Sequence, residues 1–365
     1  MAGPVLNVAG YACPFRKTVE KHKGGIVVRV RRVIDSSLSR VFGRSLLTLL
    51  LSMLVGAAHA GGPELDAKSW LNRIVSASVN RSYEGTFVYR RDDQLVAMRI
   101  IHVGDGKKER ERLIALNGRL REIIRDGDGV VYILPEQQVT LNRSGLGKHF
   151  SPKFLDNVAK LEKYYRFSLS DSDRIAGRLA RMVVIEPRDT FRYGYRIWVD
   201  EDTGLLLQSD LVDEAGNAVE QVMFTSLNLV HKVSPAMVAS VVVTEEMRKD
   251  IKSAPPTQAQ TNSNLSWSIG QAPSGFVLAE RYVHRSDPPG VVVEHGVLSD
   301  GMATVSVFVE PVGKEEPFEG VSHMGAVSAF GAVVNNRQLT VVGEVPIATV
   351  QMIGKSIAFQ IQSGR

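Results

Sequence analysis

The alternation of apolar and polar residues predicts one amphipathic helix followed by a long succession of short strands. From Glu64 to Asn80 the apolar residues Trp70, Ile74 and Ala77 lie on one stripe, which is the spacing of an α-helix with one buried face. Alternation at period two then predicts strands. These predicted strands are Thr86–Arg90, Val96–Val103, Glu109–Leu116, Leu120–Arg125, Gly129–Leu134, Gln138–Asn142, Leu179–Glu186, Arg192–Asp200, Leu205–Asp210 and Val219–Leu227.

Turn-forming residues separate the predicted strands. Asn117–Gly118 lies between two of them, and runs rich in Asp, Gly or Asn at 126–129, 200–204 and 213–217 lie between others. Such residues tolerate the positive φ that tight hairpins require. Neighbouring strands are therefore predicted to be antiparallel.

A helical pattern interrupts the strands between residues 150 and 171. Its apolar residues Phe154, Val158, Leu161 and Tyr165 are spaced by four, three and four positions, which predicts one or two helices. A long antiparallel sheet curved over a few helices gives a half-open barrel. Small barrels of this kind often enclose an apolar cavity.

A segment without large apolar side chains, Lys252–Asn264, predicts a linker, because burial could not offset the entropy of ordering it. We therefore expect a β-rich domain at residues 61–251, a linker at residues 252–264 and a smaller α+β domain at residues 265–365. Val321–Phe330 is the stretch of the smaller domain predicted as a helix. Its predicted strands are Phe276–His284, Val291–Leu298, Thr304–Val309, Gln338–Glu344 and Ala348–Ile353. The expected fold class is α+β, mainly antiparallel β.

The first sixty residues differ from the rest and predict an export signal. Basic residues at positions 29, 31, 32, 40 and 44 lead into the apolar run Leu46–Ala58. This run is shorter than the roughly 20 residues of a spanning helix, and it ends at the small-x-small sequence Ala58-His59-Ala60. We expect cleavage near Ala60 and a soluble protein in the periplasm. An uncleaved signal anchor is the alternative.

Removal of residues 1–60 changes the charge and the available chemistry. This segment holds nine Lys and Arg against two acidic residues, so the remaining chain has 35 basic and 37 acidic residues, and no nucleic-acid partner is expected. The only cysteine, Cys13, lies in the leader, and the six later histidines lack metal-ligand spacing. Since no catalytic motif is present either, we expect no enzyme activity, no metal and no cofactor.

Period-two positions on the predicted strands supply candidates for an apolar, lipid-binding cavity. They are Phe87, Tyr89, Met98, Ile100, Tyr132, Leu134, Ile197, Leu207 and Met223. Alternating apolar residues face a core far more often than a ligand, so the alternative is that these side chains simply fill the core. Arg90, Arg91 and Arg99 could bind lipid phosphates near the mouth of such a cavity, or form an ordinary solvated face.

Four regions, in order along the chain, resemble the MucB/RseB family. They are Tyr83–Arg90, Arg112–Gly118 with Val131–Pro135, Trp198–Gln208 and Val341–Pro346. The resemblance extends from about Leu65 to about Ile357. It implies a larger N-terminal domain similar to the lipoprotein carriers LolA and LolB, with a smaller C-terminal domain beside it.

The resemblance also implies a regulator that binds rather than catalyses. Such a protein binds the periplasmic region of a MucA/RseA-type anti-sigma factor, protects it from site-1 proteolysis, and releases it on sensing lipopolysaccharide or lipoprotein acyl chains. The resemblance does not decide whether the protein forms a homo-oligomer. One alternative is a lipid carrier of the LolA type, for which a second domain has no evident use. Another is an envelope hydrolase, whose converging carboxylates one sequence cannot reveal.

Overall fold

The computed structural model of the protein describes residues 65–106, 109–119, 121–126, 129–133, 138–142, 158–230, 238, 265–285, 292–313 and 316–359. The predicted leader, the linker Lys252–Asn264 and Leu134 lie outside these residues. No helix among the described residues is long and apolar enough to cross a membrane. The chain from Pro63 to Arg365 forms one compact unit.

Three helices and nineteen strands are described. In chain order they are α1 (Ala67–Asn80), β1 (Tyr83–Arg91), β2 (Gln94–Gly104), β3 (Glu109–Ala115), β4 (Glu122–Asp126), β5 (Gly129–Ile133), β6 (Gln138–Asn142), α2 (Val158–Leu161), β7 (Tyr165–Ile175), β8 (Arg178–Pro187), β9 (Gly194–Asp200), β10 (Leu206–Val212), β11 (Ala218–Leu229), β12 (Trp267–Ile269), β13 (Val277–Arg285), β14 (Val292–Ser299), β15 (Thr304–Pro311), β16 (Gly320–Met324), β17 (Val327–Val334), β18 (Arg337–Glu344), α3 (Ile347–Lys355) and β19 (Ile357–Phe359).

The first sheet has eleven strands, all paired antiparallel, in the order β6-β5-β4-β3-β2-β1-β11-β10-β9-β8-β7. Strands adjacent in sequence are adjacent in space, except where β1 pairs with β11 and so joins the two halves of the meander. The two end strands, β6 and β7, are not neighbours in this order, so the sheet stays open. The predicted antiparallel, half-open architecture is confirmed.

Helix α1 packs one apolar stripe against this sheet. Asp66 caps its N-terminus, since the carboxylate accepts a hydrogen bond of 2.8 Å from the Ser69 N–H. The helix and strand β2 approach closely at Gly104, where a Cβ atom would lie 2.5 Å from the Val79 carbonyl oxygen. Only glycine permits this approach without a shift of the backbone.

The second sheet has six antiparallel strands in the order β13-β14-β15-β18-β17-β16, and β12 pairs separately with β19. Helix α3 contacts β17 and β18. Its buried residues are Thr349, Val350, Ile353 and Gly354. They contribute to a core with Val305, Val307 and Val341 of the sheet. The fold class predicted for this part, α+β with mainly antiparallel strands, is confirmed, whereas the domain boundaries remain a prediction.

Two element predictions in the second sheet were wrong. Val321–Phe330, predicted as a helix, contains the hairpin of β16 and β17, because Gly325 adopts φ +59° and forms the turn between them. Ala348–Ile353, predicted as a strand, lies in helix α3. Its β-branched residues favour a strand locally, but their burial at positions 349, 350 and 353 is helical, and packing against the sheet decides the outcome.

The helical pattern predicted around residue 160 was also only partly right. Helix α2 ends at Leu161, and Tyr165 begins strand β7 instead of continuing a helix. Both residues are nevertheless buried in one apolar cluster. Apolar residues spaced by four positions can therefore meet across a turn as well as along a helix.

Candidate functional site

Two large apolar clusters lie along the first sheet, beside a small one of Ile101, Val103 and Val238. The first cluster centres on α1, α2, β8 and β9 and includes Leu71, Ile74 and Tyr165. The second cluster centres on β1, β2, β10 and β11 and includes Phe87, Ile100 and Leu207, which are each at most 1% exposed. The centre of the second cluster is thus shielded from solvent.

Most of the residues predicted to line a cavity belong to the second cluster. Phe87, Met98, Ile100 and Leu207 are buried members, and Tyr89 and Met223 are half-buried and pack against them. The structure therefore brings six of the nine predicted residues together. This arrangement is compatible both with a core and with an apolar site that opens for a ligand.

The other three predicted residues do not join this group in the described structure. Ile197 is fully buried in the first cluster. Tyr132 lies on β5, of which only the backbone is described, and Leu134 lies outside the described residues. On β11 the immediate neighbours of the half-buried Met223, Val222 and Phe224, are both buried.

A buried ionic network adjoins the second cluster at the C-terminal end of α1. His102 is 1% exposed, and both of its ring nitrogens face acceptors. Nδ1 lies 3.0 Å from Glu111 Oε1, and Nε2 lies 2.6 Å from the Ser78 carbonyl oxygen. The ring also stacks on Tyr83, and Arg125 Nη1 donates to the other Glu111 oxygen at 2.6 Å.

The geometry of this network favours the charged form of His102. A neutral imidazole carries a single N–H and can satisfy one of the two acceptors, whereas the imidazolium satisfies both. Burial on its own lowers the pKa, but the hydrogen bond and charge of Glu111, with the Ser78 carbonyl and Glu109, outweigh it and raise the pKa of His102. Tyr83 beside it has its pKa raised by burial and by the two glutamates.

A buried ion pair between Arg192 and Asp300 connects the two sheets. Arg192 and Asp300 have fully buried side chains, and Arg192 Nε lies 3.1 Å from Asp300 Oδ2. Arg192 Nε makes no hydrogen bond, so this contact is an ion pair only. Arg192 Nη2 donates to the Ser274 carbonyl at 2.6 Å, and Tyr165 donates to Asp300 at 3.0 Å.

Aromatic rings and a helix surround this ion pair. The guanidinium carbon of Arg192 lies 5.0 Å from the ring centre of Tyr164 and 5.1 Å from that of Phe276, which supplies cation–π attraction. Nearby, Thr349 Oγ1 of α3 donates to the Phe191 carbonyl at 2.6 Å. Buried polar and ionic contacts thus join the second sheet to the first.

The second sheet contains a cavity that the sequence did not predict. It has a volume of about 870 Å³ and is lined by both aromatic and polar groups. Its lining includes Leu265, Trp267, Phe276, Leu278 and Arg281. No period-two pattern marks these residues, because several of them lie on irregular backbone between β12 and β13.

The arginines considered as lipid-phosphate ligands already have protein partners. Arg99 forms an exposed ion pair with Glu84 at 3.0 Å, and Arg90 donates to the Ala218 carbonyl at 2.9 Å. The aliphatic part of Arg91 lies against Gly325. Within the described ranges, no group of three or more His, Cys, Asp or Glu side chains is placed to hold a metal ion.

Comparison of the sequence with known families gives two matches. The model of the MucB/RseB N-terminal domain matches residues 66–242, and that of the MucB/RseB C-terminal domain matches residues 261–358. The sequence is 31% identical over 319 residues to the sigma-E factor regulatory protein RseB of Haemophilus influenzae, which covers 86% of this chain and 96% of that protein. It is 31% identical over 327 residues to MucB, the sigma factor AlgU regulatory protein of Pseudomonas aeruginosa, with coverage of 86% and 96%.

Solved structures are similar over a slightly smaller part of the chain. The crystal structure of MucB in complex with MucA(peri) matches with a TM-score of 0.62 and 28% identity, over 81% of this chain and 99% of that chain. The Pseudomonas aeruginosa MucA/MucB complex matches with a TM-score of 0.61 and the same identity, over 80% and 99%. Both similarities extend across the two sheets described above.

Proposed function

This chain belongs to the MucB/RseB family, and from that premise we propose that it is a periplasmic regulator of an envelope-stress sigma factor. It binds the tail, which is the periplasmic region of a membrane-spanning anti-sigma factor of the MucA/RseA type. It protects the tail from site-1 proteolysis. It releases the tail when lipopolysaccharide or lipoprotein acyl chains bind.

One observation carries the proposal. The chain is similar to MucB over 99% of the MucB chain in a structure that contains MucA(peri), so almost all of that chain has a counterpart here. The relatives at 31% identity, named as regulatory proteins of sigma factors, support the same role. Together they favour a regulator that acts by binding and not by catalysis.

Binding alone is sufficient for protection. A protease that cleaves only free tail works at a rate proportional to the free fraction, and about 1% of the tail is free when the regulator is present at about 100 times its Kd. A lipid that binds the tail-free form more tightly releases the tail in proportion to that difference in affinity. The mechanism needs no nucleophile, metal or cofactor.

The second apolar cluster is our proposed site for the acyl chain. It lies under an open sheet, and it contains the largest group of the predicted lipid-binding residues, among them Phe87, Met98 and Ile100. Since Phe87 and Ile100 are almost completely buried, a lipid has to displace packed side chains to enter. Lipid binding would therefore favour a different packing of this cluster, and such a change could weaken the binding of the tail.

Export follows from the same proposal. The leader that ends near Ala60 would direct the chain across the inner membrane, and the remaining chain would act in the periplasm. A variant that lacks residues 1–60 should remain in the cytoplasm. The full chain should be recovered from the periplasmic fraction with Gly61 at its N-terminus.

A lipid carrier of the LolA type is the second candidate, and the apolar cluster under the open sheet favours it. The buried contact of Arg192 with Asp300 favours the regulator, because it ties the second sheet firmly to the first. A carrier has no evident use for that connection. The two candidates differ in one simple respect, since a carrier should bind lipid without binding the tail.

A protection assay tests the proposed function. The purified tail is incubated with the site-1 protease, with and without excess chain, and cleavage is followed over time. We expect the chain to slow cleavage at least tenfold and lipopolysaccharide to restore it. Unchanged cleavage in the presence of excess chain would contradict the proposal, and acyl-chain binding in that case would favour the carrier.

A matched pair of variants tests the proposed lipid site. Met223→Trp adds a bulky ring beside the second cluster, whereas Met182→Trp makes the same change at a half-buried position on β8 that belongs to neither cluster. Both variants should protect the tail. Met223→Trp should need several times more lipid for release, and Met182→Trp should respond as the wild type does. An equal lipid response in both would remove the second cluster from the mechanism.

A further inference from the structure

Strand β16 is an edge strand whose residues are all exposed, although helix α3 approaches it. It forms one end of the second sheet, and each residue from Phe318 to Met324 is exposed. Three of these are apolar: Phe318 is 36% exposed, Val321 is 44% exposed and Met324 is 59% exposed. Among the described residues, no strand pairs with β16 on the side away from β17.

Two of the three other edges of the two sheets carry features that discourage pairing, whereas the third, β6, has neither a charged residue nor a bulge. Strand β13, at the opposite edge of the second sheet, has a bulge after Leu278 and three charged residues, Glu280, Arg281 and Arg285. Strand β7, an edge of the first sheet, has a bulge after Leu169 and several charged residues. Bulges and charges are the usual protection of an exposed edge. Strand β16, with the sequence GVSHM, has neither.

The hairpin register shows which backbone groups of β16 face outward. Met324 pairs with Val327 across the two-residue turn that Gly325 begins. In such a hairpin the closing pair is hydrogen-bonded, and bonding alternates along the ladder. Val321 and His323 therefore direct their N–H and C=O groups away from β17. An extended polypeptide can satisfy all four groups, which an acyl chain cannot do.

The charges around β16 define the segment that would fit. Glu316 and Glu319 are exposed just before the strand. At its other end, Gly325 lies against the β1–β2 turn, where Arg91 precedes the exposed Asp92 and Asp93. Both ends are thus net acidic. They favour an extended segment with apolar residues in its middle and basic residues near its ends.

From this geometry we propose that β16 is a docking edge, at which an extended segment of the tail adds as a seventh strand to the second sheet. This inference rests on the proposed function and locates the contact. Main-chain hydrogen bonds to Val321 and His323 supply the affinity. The exposed apolar side chains and the acidic ends supply the selectivity. A second copy of the chain fits less well, because its own β16 carries the same acidic flanks.

Hydrogen exchange gives a direct test of this docking edge. In the free chain the amide protons of Val321 and His323 should exchange quickly, because they face solvent. In the complex with the tail both should exchange at least tenfold more slowly. Unchanged exchange at these two amides while the tail saturates the chain would overturn the inference and leave the proposed function intact.

Variants on the two edges provide a matched control. Val321→Lys places a charge on β16, and Val277→Lys makes the same change on β13, where Val277 is 63% exposed. Val321→Lys should raise the Kd for the tail at least tenfold, and Val277→Lys should change it less than twofold. Glu319→Lys should weaken binding and reduce its dependence on salt. Equal effects of the two lysine variants would overturn the inference.

Two further outcomes identify where a failure lies. If the wild-type chain does not bind the tail at all, the proposed function fails and the docking edge fails with it. If the chain forms a dimer in sedimentation that Val321→Lys converts to a monomer, β16 is an interface between copies, and the inference is likewise overturned. Thermal unfolding of each variant checks that the fold is intact.

Discussion

Replacing His102 with phenylalanine keeps an aromatic ring against Tyr83 but removes both donors of a buried side chain. The Ser78 carbonyl oxygen and one oxygen of Glu111 then lose the donor that His102 supplies, in an environment with almost no water. Leaving a buried acceptor without a donor costs about 1–3 kcal/mol. His102→Phe should therefore lower the free energy of unfolding by about 2–6 kcal/mol below pH 6.

The same substitution should change the pH dependence of stability. Because the pKa of His102 is raised in the folded chain, the protonated ring contributes its full stabilisation below the unfolded pKa of about 6.5. That contribution is lost as the pH rises through the folded pKa. The advantage of the wild type over His102→Phe should thus be constant in mild acid and shrink at higher pH.

Urea unfolding followed by tryptophan fluorescence measures both effects. Wild type and His102→Phe are compared from pH 5.5 to pH 8.5, and the difference between them cancels the titration of groups they share. A difference that is independent of pH over this range would refute the charged state of His102. A variant as stable as the wild type in mild acid would refute the two-acceptor geometry.

Three further predictions concern stability and use the same unfolding assay. Arg192→Met leaves the Asp300 carboxylate buried without its cation and should cost about 3–5 kcal/mol; Arg166→Met, at an exposed ion pair, should cost less than about 1 kcal/mol. Leu207→Ala opens a cavity in a fully buried position and should cost about 2–5 kcal/mol. Burial opposes ionisation of Asp200, but hydrogen bonds from Arg178 and Thr203 lower its pKa, so its contribution is present above about pH 4 and lost in stronger acid, a dependence that Asp200→Asn should remove.

Ten of the eleven strands of the first sheet could be predicted because their signals are local, whereas β7 was missed because its first residues continue a helical pattern. Alternation and turn residues gave Gln138–Asn142 with the bounds that the structure has, and most other strands within a few residues. Helix α3 could not be predicted in the same way, since its β-branched residues favour a strand until the sheet beneath them is known. The hairpin of β16 and β17 was missed because Gly325 was read as part of a helix.

The candidate site was likewise predictable only where the signal is local in sequence. Phe87, Ile100 and Leu207 were predicted from period two and are buried together, although their role in binding lipid remains a proposal. His102 follows Met98 and Ile100 in the same phase, so its burial was readable from the sequence. Its partner Glu111 lies on the next strand and could be inferred only from the register. Arg192 and Asp300 are distant in sequence, and no local pattern connects them.

Calorimetric titration of the chain from Gly61 to Arg365 with the tail tests the central claim most directly. The titration is repeated with lipopolysaccharide present. We predict saturable binding with one tail per chain, and a Kd that rises at least tenfold when the lipid is added. Absence of binding in both conditions would contradict the account, and binding that lipopolysaccharide leaves unchanged would contradict the release step.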